Sequence, residues 1–190
     1  NADTGRTRVL TPEEETLMLQ TAQRLGKIAV YNFLIIGVNT GSRPAEIYNL
    51  KYDDFDMLNR IVKIYQPKVK EYKTIPLNDR LYELMQILIA ERKGEYVLTN
   101  NDKPYHYSFF NKQWRIVRET AKLDEAVIPY CLRHTFCTRL VKLGVPVRCM
   151  MHYSGHKTLT MAMRYTHTEN DLTHLKLLDT IKTVKAAEQA

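Results

Sequence analysis

The spacing of apolar residues along most of this chain is typical of amphipathic α-helices. Leu81, Leu84, Met85 and Leu88 recur at intervals of three or four, which places them on one helical face. Two later segments carry similar faces, formed by Phe110, Trp114, Val117 and Ala121 and by Phe136, Leu140 and Leu143. The pattern therefore predicts a mainly helical protein.

Residues that favour helix ends delimit the first segments. Thr11 before Pro12 and three glutamates is an N-terminal signal, because a hydroxyl caps free backbone N–H groups and proline suits the first turn. The apolar segment IAVYNFLIIGVNTG is expected to stop at Gly41. Pro44 is placed where another helix would start.

Two short segments break the helical pattern. RIVKIY and KTIPL are predicted strands that flank QPKVKEY, a hairpin with a basic loop, and EYVL is a third strand or extended chain. The predicted fold class is mainly α with a small antiparallel β-sheet (α+β). We expect one domain over residues 11–190, a linker over 1–10, and a final helix from about residue 171.

The final helix has an apolar face formed by Leu175, Leu178 and Ile181. This face would dock on the protein's own core or on a neighbouring molecule.

Composition and charge narrow the class of protein. The 190 residues are 44% hydrophobic and 26% charged, as in ordinary globular domains. The net charge of +7 favours a polyanionic partner such as nucleic acid. Three cysteines are too few for a disulfide framework and indicate a reducing, cytoplasmic setting. No apolar run approaches the roughly 20 residues that span a bilayer.

Tyr165 is a candidate nucleophile if suitable groups converge on it. A phenol has a pKa near 10, so it attacks poorly at neutral pH unless cations or a base stabilise its phenolate. Attack on a phosphodiester also needs fixed donors for the phosphoryl oxygens, a task that suits the arginine fork. Arg43, Arg133 and Lys68 are cations at plausible places.

Four motifs, in sequence order, resemble the catalytic domain of the tyrosine recombinases, the integrase family of site-specific DNA recombinases. TGSRPAEIYNL resembles the first arginine motif, with Arg43, and QPKVKEYKTIPL resembles the hairpin motif, with Lys68 in the lysine position. YCLRHTFCTRLVKLGVP resembles the second arginine motif, with Arg133. SGHKTLTMAMRYTH resembles the last motif, with His156 and Tyr165.

The resemblance implies a role for each matched residue. Tyr165 would attack the scissile phosphate and form a 3′-phosphotyrosyl link. Arg43 and Arg133 would hold the non-bridging oxygens, with His156 as a further donor. Lys68 would be the general acid for the leaving 5′-oxygen.

Supporting residues follow from the same motifs. Glu46 would orient Arg43 or the backbone around it, and His134 would be a second residue that supports the catalytic groups. Lys70 and Lys73 in the basic hairpin would contact DNA. Tyr130 departs from the family pattern, which usually has histidine three residues before Arg133. A tyrosine donates a hydrogen bond to phosphate but does not become a cation near pH 7, so a part in proton transfer is in doubt.

The resemblance also implies partners. The protein would act on double-stranded DNA at a specific site, as a tetramer joined through the C-terminal helix, without metal, ATP or other cofactor. Residues 1–10 would be the remnant of a linker to an N-terminal DNA-binding domain.

The spacing of His156 and Tyr165 predicts a break in the chain. Nine residues of straight helix rise about 13.5 Å, too far for both side chains to share one phosphate. We therefore expect a break after His156 and a separate helix that starts at Thr158 and delivers Tyr165.

Three other interpretations compete. A zinc site would use members of a loose cluster of Cys131, Cys137, Cys149, His152 and His156, but the sequence has neither CxxC nor HExxH. A type IB topoisomerase would use nearly the same chemistry to relax DNA without strand exchange. A non-catalytic DNA-binding relative would bind without ever forming a covalent adduct.

Overall fold

The computed structural model describes residues 8–100 and 103–165. Eight α-helices lie in these ranges, with a short 3₁₀ turn at Tyr52–Asp54: α1 (Pro12–Arg24), α2 (Ile28–Thr40), α3 (Pro44–Tyr48), α4 (Asp79–Ala90), α5 (Tyr107–Thr120), α6 (Cys131–Lys142), α7 (Val147–Ser154) and α8 (Leu159–Met163). The strands are β1 (Phe55–Asp56), β2 (Ile61–Gln66), β3 (Glu71–Pro76), β4 (Thr99–Asn100) and β5 (Lys103–Pro104).

The predicted ends of the first helices are confirmed. The Thr11 hydroxyl accepts from the Glu14 backbone N–H, and the Glu14 side chain accepts from the Thr11 N–H, which completes a capping box. Helix α2 ends at Gly41, whose left-handed backbone (φ 61°) closes the helix. Pro44 begins α3, and Arg43 is the residue that precedes it.

Strands β1, β2 and β3 form an antiparallel sheet in sequence order. Val62 pairs with Ile75 and Ile64 with Lys73, which turns alternate side chains of both strands into the core. The β2–β3 turn covers only residues 67–70, so the strands extend further into QPKVKEY than expected. The hairpin therefore holds Lys68 and Lys70 at its exposed tip.

The sheet differs from the prediction in one respect. Of the two alternatives for EYVL, the strand is excluded, because Tyr96 makes only an isolated bridge with Lys51, while Val97 and Leu98 pack into the core. A separate two-stranded ladder, β4–β5, follows instead of a single sheet. Strands of two residues give too little alternation to be recognised from a sequence.

The core forms around α2, which is buried along most of its length and packs against α1, α4, α5 and α6. Aromatic rings of Phe33, Tyr48 and Phe110 stack at its centre. A smaller apolar cluster joins α6, α7 and α8 and includes Phe136, Met150 and Tyr165. The C-terminal motifs are thus held against α6.

The predicted break between His156 and Tyr165, inside the last motif, is confirmed. Helix α7 ends at Gly155, which is left-handed (φ 71°), and α8 starts after Thr158, whose hydroxyl accepts from the Met161 N–H. His156 lies in the connection, and Tyr165 lies two residues beyond α8. The change of direction at Gly155 allows both side chains to turn toward α6.

The boundary expected at residue 10 needs correction. Leu10 is buried in the main core, and its N–H donates to the Thr135 hydroxyl at 2.9 Å. Arg8 pairs with Glu14 and Asp124. The end of the expected linker is therefore part of the folded domain, whereas residues 1–7 and the predicted helix from about 171 lie outside the described residues.

We expect Gly41→Ala to destabilise the protein more than Gly26→Ala. Both glycines have positive φ, so alanine costs about 1–2 kcal/mol at either position. A Cβ at Gly41 would in addition overlap the Phe136 ring, whereas nothing lies within 4 Å of one at Gly26. Urea denaturation should give a loss of ~2–4 kcal/mol in unfolding free energy for Gly41→Ala. Equal losses would contradict the packing described here.

Candidate active site

Arg133 is buried yet only partly hydrogen-bonded. Its side chain lies in the first turn of α6 with 1% of its surface exposed, and Nη1 donates to the carbonyls of Gly41 (2.9 Å) and Ser154. Nε and Nη2 have no hydrogen-bond partner among the described residues. A buried cation with free donors is costly unless an anion completes its shell, so this edge of the guanidinium suits a bound oxyanion.

Arg43 lies at the N-terminal end of α3, close to the segment whose Ser154 carbonyl binds Arg133. Its Nη1 donates to Glu46 Oε1 at 2.8 Å, and its backbone N–H donates to Glu46 Oε2 at 3.0 Å. Nη2 approaches the Gly155 carbonyl at 3.5 Å. Glu46 therefore fixes both the backbone and the side chain of Arg43, and the guanidinium stays partly exposed.

The position of Lys73 differs from the expectation of an exposed DNA contact. It is 3% exposed, and Nζ lies 3.0 Å from Glu46 Oε2. Lys73 was correctly predicted in a strand, but its basic neighbours suggested a surface position, whereas its side chain faces inward. Lys73 holds Glu46 in place for Arg43, so it supports the site from within the core.

For each member of this ion pair, burial and the charge of its partner shift the pKa in opposite directions. Burial lowers the pKa of Lys73 to about 8, with Arg133 and Arg43 adding to the effect and Glu46 opposing it. Burial alone would raise the pKa of Glu46, but Lys73 and the hydrogen bonds from Arg43 outweigh it and leave that pKa below its usual value. Glu46 is therefore ionised at neutral pH.

His156 is held as a neutral imidazole. Burial and the charges of Arg133 and Arg43 lower its pKa to about 3. Its Nδ1 lies 2.6 Å from Ser154 Oγ, which also donates to the Met150 carbonyl at 2.6 Å. Because the hydroxyl has a single hydrogen, this geometry assigns the imidazole proton to Nδ1 as donor to Ser154.

Tyr165 is buried between two imidazoles. It is 2% exposed, its ring centroid lies 5.6 Å from that of His156, and its hydroxyl lies 2.8 Å from His134 Nδ1. Burial raises the pKa of Tyr165, and Arg133 offsets only part of this effect. The resting phenol is therefore protonated and bonded to the residue that follows Arg133.

The remaining predicted residues lie at the edge of this cluster. Tyr130 is 38% exposed, and its ring centroid is 5.2 Å from that of His134. Lys68 and Lys70 are exposed in the β2–β3 turn. The structure thus brings Arg43, Glu46, Arg133, His134, His156 and Tyr165 together, with Tyr130 beside them and Lys68 on the hairpin tip.

Two contributors were missed by sequence reasoning. The carbonyl and hydroxyl of Ser154 bind Arg133 and His156 respectively. Gly155 packs so closely on the buried Gln66 that any Cβ would overlap the Gln66 amide. The signal available in the sequence was the SGH tripeptide. A glycine at a helix end marks a left-handed turn, which leaves the last carbonyls of the helix available to other partners.

The sequence of the chain matches a known protein family. A model of the phage integrase family matches residues 8–171. The chain belongs to the phage integrase family. The resemblance to tyrosine recombinases and the mainly α fold with a small antiparallel sheet are both confirmed.

Individual relatives of this integrase-family chain are distant. It is 26% identical over 151 residues to a probable integrase/recombinase of Methanocaldococcus jannaschii, covering 74% of this chain and 46% of that protein. It is 29% identical over 137 residues to a tyrosine recombinase of Pseudothermotoga lettingae, covering 67% and 45%. The chain spans about half the length of the curated relatives it matches.

A solved structure has the same fold. The Tn1549 transposon integrase in complex with transposon right end DNA superposes with a TM-score of 0.80 at 22% identity, over 96% of this chain and 68% of that one. At this level of identity the likeness concerns the fold.

Neither a metal-ligand cluster nor a membrane-spanning helix occurs in the described part of the chain. Within residues 8–100 and 103–165, no three His, Cys, Asp or Glu side chains cluster as metal ligands would. In the same part of the chain, no helix has the length and apolar character needed to cross a membrane.

Because Lys73 of the Lys73–Glu46 pair is buried, the unfolding free energy should change with pH in the alkaline range. The unfolded lysine keeps its proton to about pH 10.4, whereas folded Lys73 loses it near pH 8. Between these values the unfolded state binds more protons, so the Lys73 contribution to stability rises with pH. Wild-type unfolding free energy should therefore gain up to ~1.4 kcal/mol per pH unit over Lys73→Met between pH 8 and 10.

The control for this titration is Lys70→Met, which removes an exposed lysine from the same hairpin. Its unfolding free energy should run parallel to wild type over the same pH range in urea titrations. A Lys73→Met curve that is also parallel to wild type would contradict the lowered pKa of Lys73 in the folded protein.

Proposed function

We propose that this chain is the catalytic domain of a site-specific DNA recombinase or integrase, which breaks and rejoins DNA through Tyr165. The observation that carries the proposal is Arg133, a buried guanidinium whose Nε and Nη2 have no protein partner among the described residues. A phosphodiester oxygen would satisfy these donors, and Tyr165 is close enough for the Arg133 charge to act on its pKa.

The two arginines form the proposed phosphate clamp. Arg133 is fixed by carbonyls from two segments, and Arg43 is fixed by Glu46, so both forks are positioned before DNA arrives. Donors that need no rearrangement stabilise the charge that develops on a phosphoryl group most effectively. Neutral His156 lies beside them, and an approaching phosphate would raise its pKa and favour a donating form.

The proposed reaction exchanges one phosphodiester for another. The Tyr165 oxygen bonds to phosphorus, the bond from phosphorus to the 5′-oxygen breaks, and Lys68 donates a proton to that oxygen. An exposed ammonium on a hairpin tip suits this role because its long side chain can reach a leaving oxygen on DNA bound against the site. The phosphotyrosyl bond retains the energy of the original linkage, so religation needs no ATP.

Double-stranded DNA is the proposed partner. The net charge of +7 favours it, and Lys68 and Lys70 present cations at the hairpin tip. The Tn1549 transposon integrase, of the same fold, was solved with transposon end DNA. Assembly as a tetramer on DNA through the helix from about residue 171 is also proposed, on the apolar face of that segment.

We expect the full-length protein to form a covalent adduct with DNA that Tyr165→Phe abolishes. The substrate is a nicked suicide duplex carrying a site selected by binding from a random-sequence pool. Denaturing gels would reveal the protein–DNA adduct. Phenylalanine retains the ring packing but lacks the attacking oxygen, so DNA binding should persist without any adduct.

Further variants separate the rival functions. Arg133→Lys should lower the rate of adduct formation by roughly 10²-fold or more, because a single ammonium replaces a preorganised fork. Lys157→Met, which removes an exposed cation paired with Glu71, should leave the rate within about threefold of wild type. Binding without adduct in the wild type would favour a non-catalytic relative, and relaxation by the isolated monomer would favour a topoisomerase.

A further inference from the structure

The Tyr165 phenol must lose a proton before or as it attacks, and the structure limits what can accept it. Burial raises the pKa of Tyr165, so no phenolate is present at rest. Tyr130 occupies the position where the family pattern usually has histidine, and a phenol is a poor proton acceptor near pH 7. Another base is therefore needed if the proposed cleavage occurs.

His156 is poorly suited to this task. Arg133, Arg43 and burial lower its pKa to about 3, so its imidazole is a weak base. Its Nδ1 is also bonded to Ser154, and its contact with Tyr165 runs ring to ring. The position of His156 is better suited to the phosphate than to the phenol hydrogen.

His134 meets the geometric requirement for a general base. Its Nδ1 lies 2.8 Å from the Tyr165 hydroxyl, within the distance over which a proton transfers directly. The residue lies in the first turn of α6, next to Arg133, and is 8% exposed. The base and the phosphate clamp therefore share one rigid helical turn.

We propose that His134 is the general base that accepts the Tyr165 proton during cleavage and returns it during religation. The inference rests on the proposed strand-cleavage function. The neutral imidazole, with its hydrogen on Nε2, accepts at Nδ1 as the phenol O–H bond breaks and the bond from oxygen to phosphorus forms. The 5′-oxygen leaves with a proton from Lys68, and the reverse steps restore every group.

This assignment explains the substitution at Tyr130. With His134 in contact with the reacting oxygen, proton transfer does not need an imidazole three residues before Arg133. Tyr130 packs against the His134 ring, with centroids 5.2 Å apart and an interplanar angle of 65°. This ring contact helps to set the orientation of the imidazole.

The test compares His134→Asn with Lys68→Ala on two suicide duplexes. One carries a normal 5′-bridging oxygen at the scissile phosphate and the other a 5′-bridging sulfur, which leaves without a proton. Asparagine can keep a hydrogen bond to Tyr165 but cannot take its proton. His134→Asn should slow adduct formation roughly 10²–10⁴-fold on both substrates, whereas sulfur should restore Lys68→Ala.

Other results would overturn the assignment. Wild-type rates for His134→Asn would mean that the contact only orients Tyr165, and recovery on the sulfur substrate would place His134 on the leaving-group side. His152→Asn, which alters an exposed histidine on α7, is the matched control and should cleave normally. Melting and DNA binding verify the fold of each variant, and His134→Gln replaces His134→Asn if that variant fails to fold.

The assay also separates the inference from the proposed function. No adduct from the wild type on either substrate would overturn strand cleavage, and the base assignment with it. An adduct from the wild type that His134→Asn and His134→Gln leave unchanged would overturn only the role of His134.

Discussion

The burial of the Arg133 guanidinium is the constraint on which this site depends. Moving such an ion out of water costs several kcal/mol unless its donors are satisfied. Two of the bonds that offset this cost go to the carbonyls of Gly41 and Ser154. Each carbonyl belongs to a helix end, so one side chain joins the α2–α3 turn to the end of α7. The Arg133 side chain thus connects the second arginine motif to both the first arginine motif and the last motif.

The site is held at a positive charge that the protein only partly neutralises. Among the residues described there, Glu46 pairs with both Arg43 and Lys73, and Arg133 has no carboxylate partner. Burial lowers the pKa of His156 and of Lys73, and the excess positive charge lowers both further, since each new positive charge is disfavoured by those already present. An anionic phosphate would relieve this repulsion, which explains why a folded protein tolerates it.

Tyr165 is buried and protonated in this structure, which favours stability over reactivity. Its ring completes the small apolar cluster of α6, α7 and α8, and its hydroxyl is bonded to His134. A buried phenol is harder to ionise than an exposed one, so reaction requires a phosphate and a proton acceptor together. Helix α8 is only five residues long, between Thr158 and Arg164, so a short segment connects Tyr165 to the rest of the site.

The sequence by itself determined the local features and the set of candidate site residues. Helix starts at Pro12 and Pro44, the stop at Gly41 and the break after His156 follow from backbone preferences that act within a few residues. The motif order likewise identified Arg43, Arg133, His156 and Tyr165 as one set before any distance was known.

Only the tertiary structure decided which side chains face inward and which atoms meet. Lys73 looked like a surface cation because its neighbours are basic, but the register of β3 turns it toward Glu46. The contact of His134 with Tyr165 joins residues 31 positions apart, and the bonds of Arg133 reach 21 and 92 positions away. Such long-range contacts depend on how helices pack, and no local pattern encodes them.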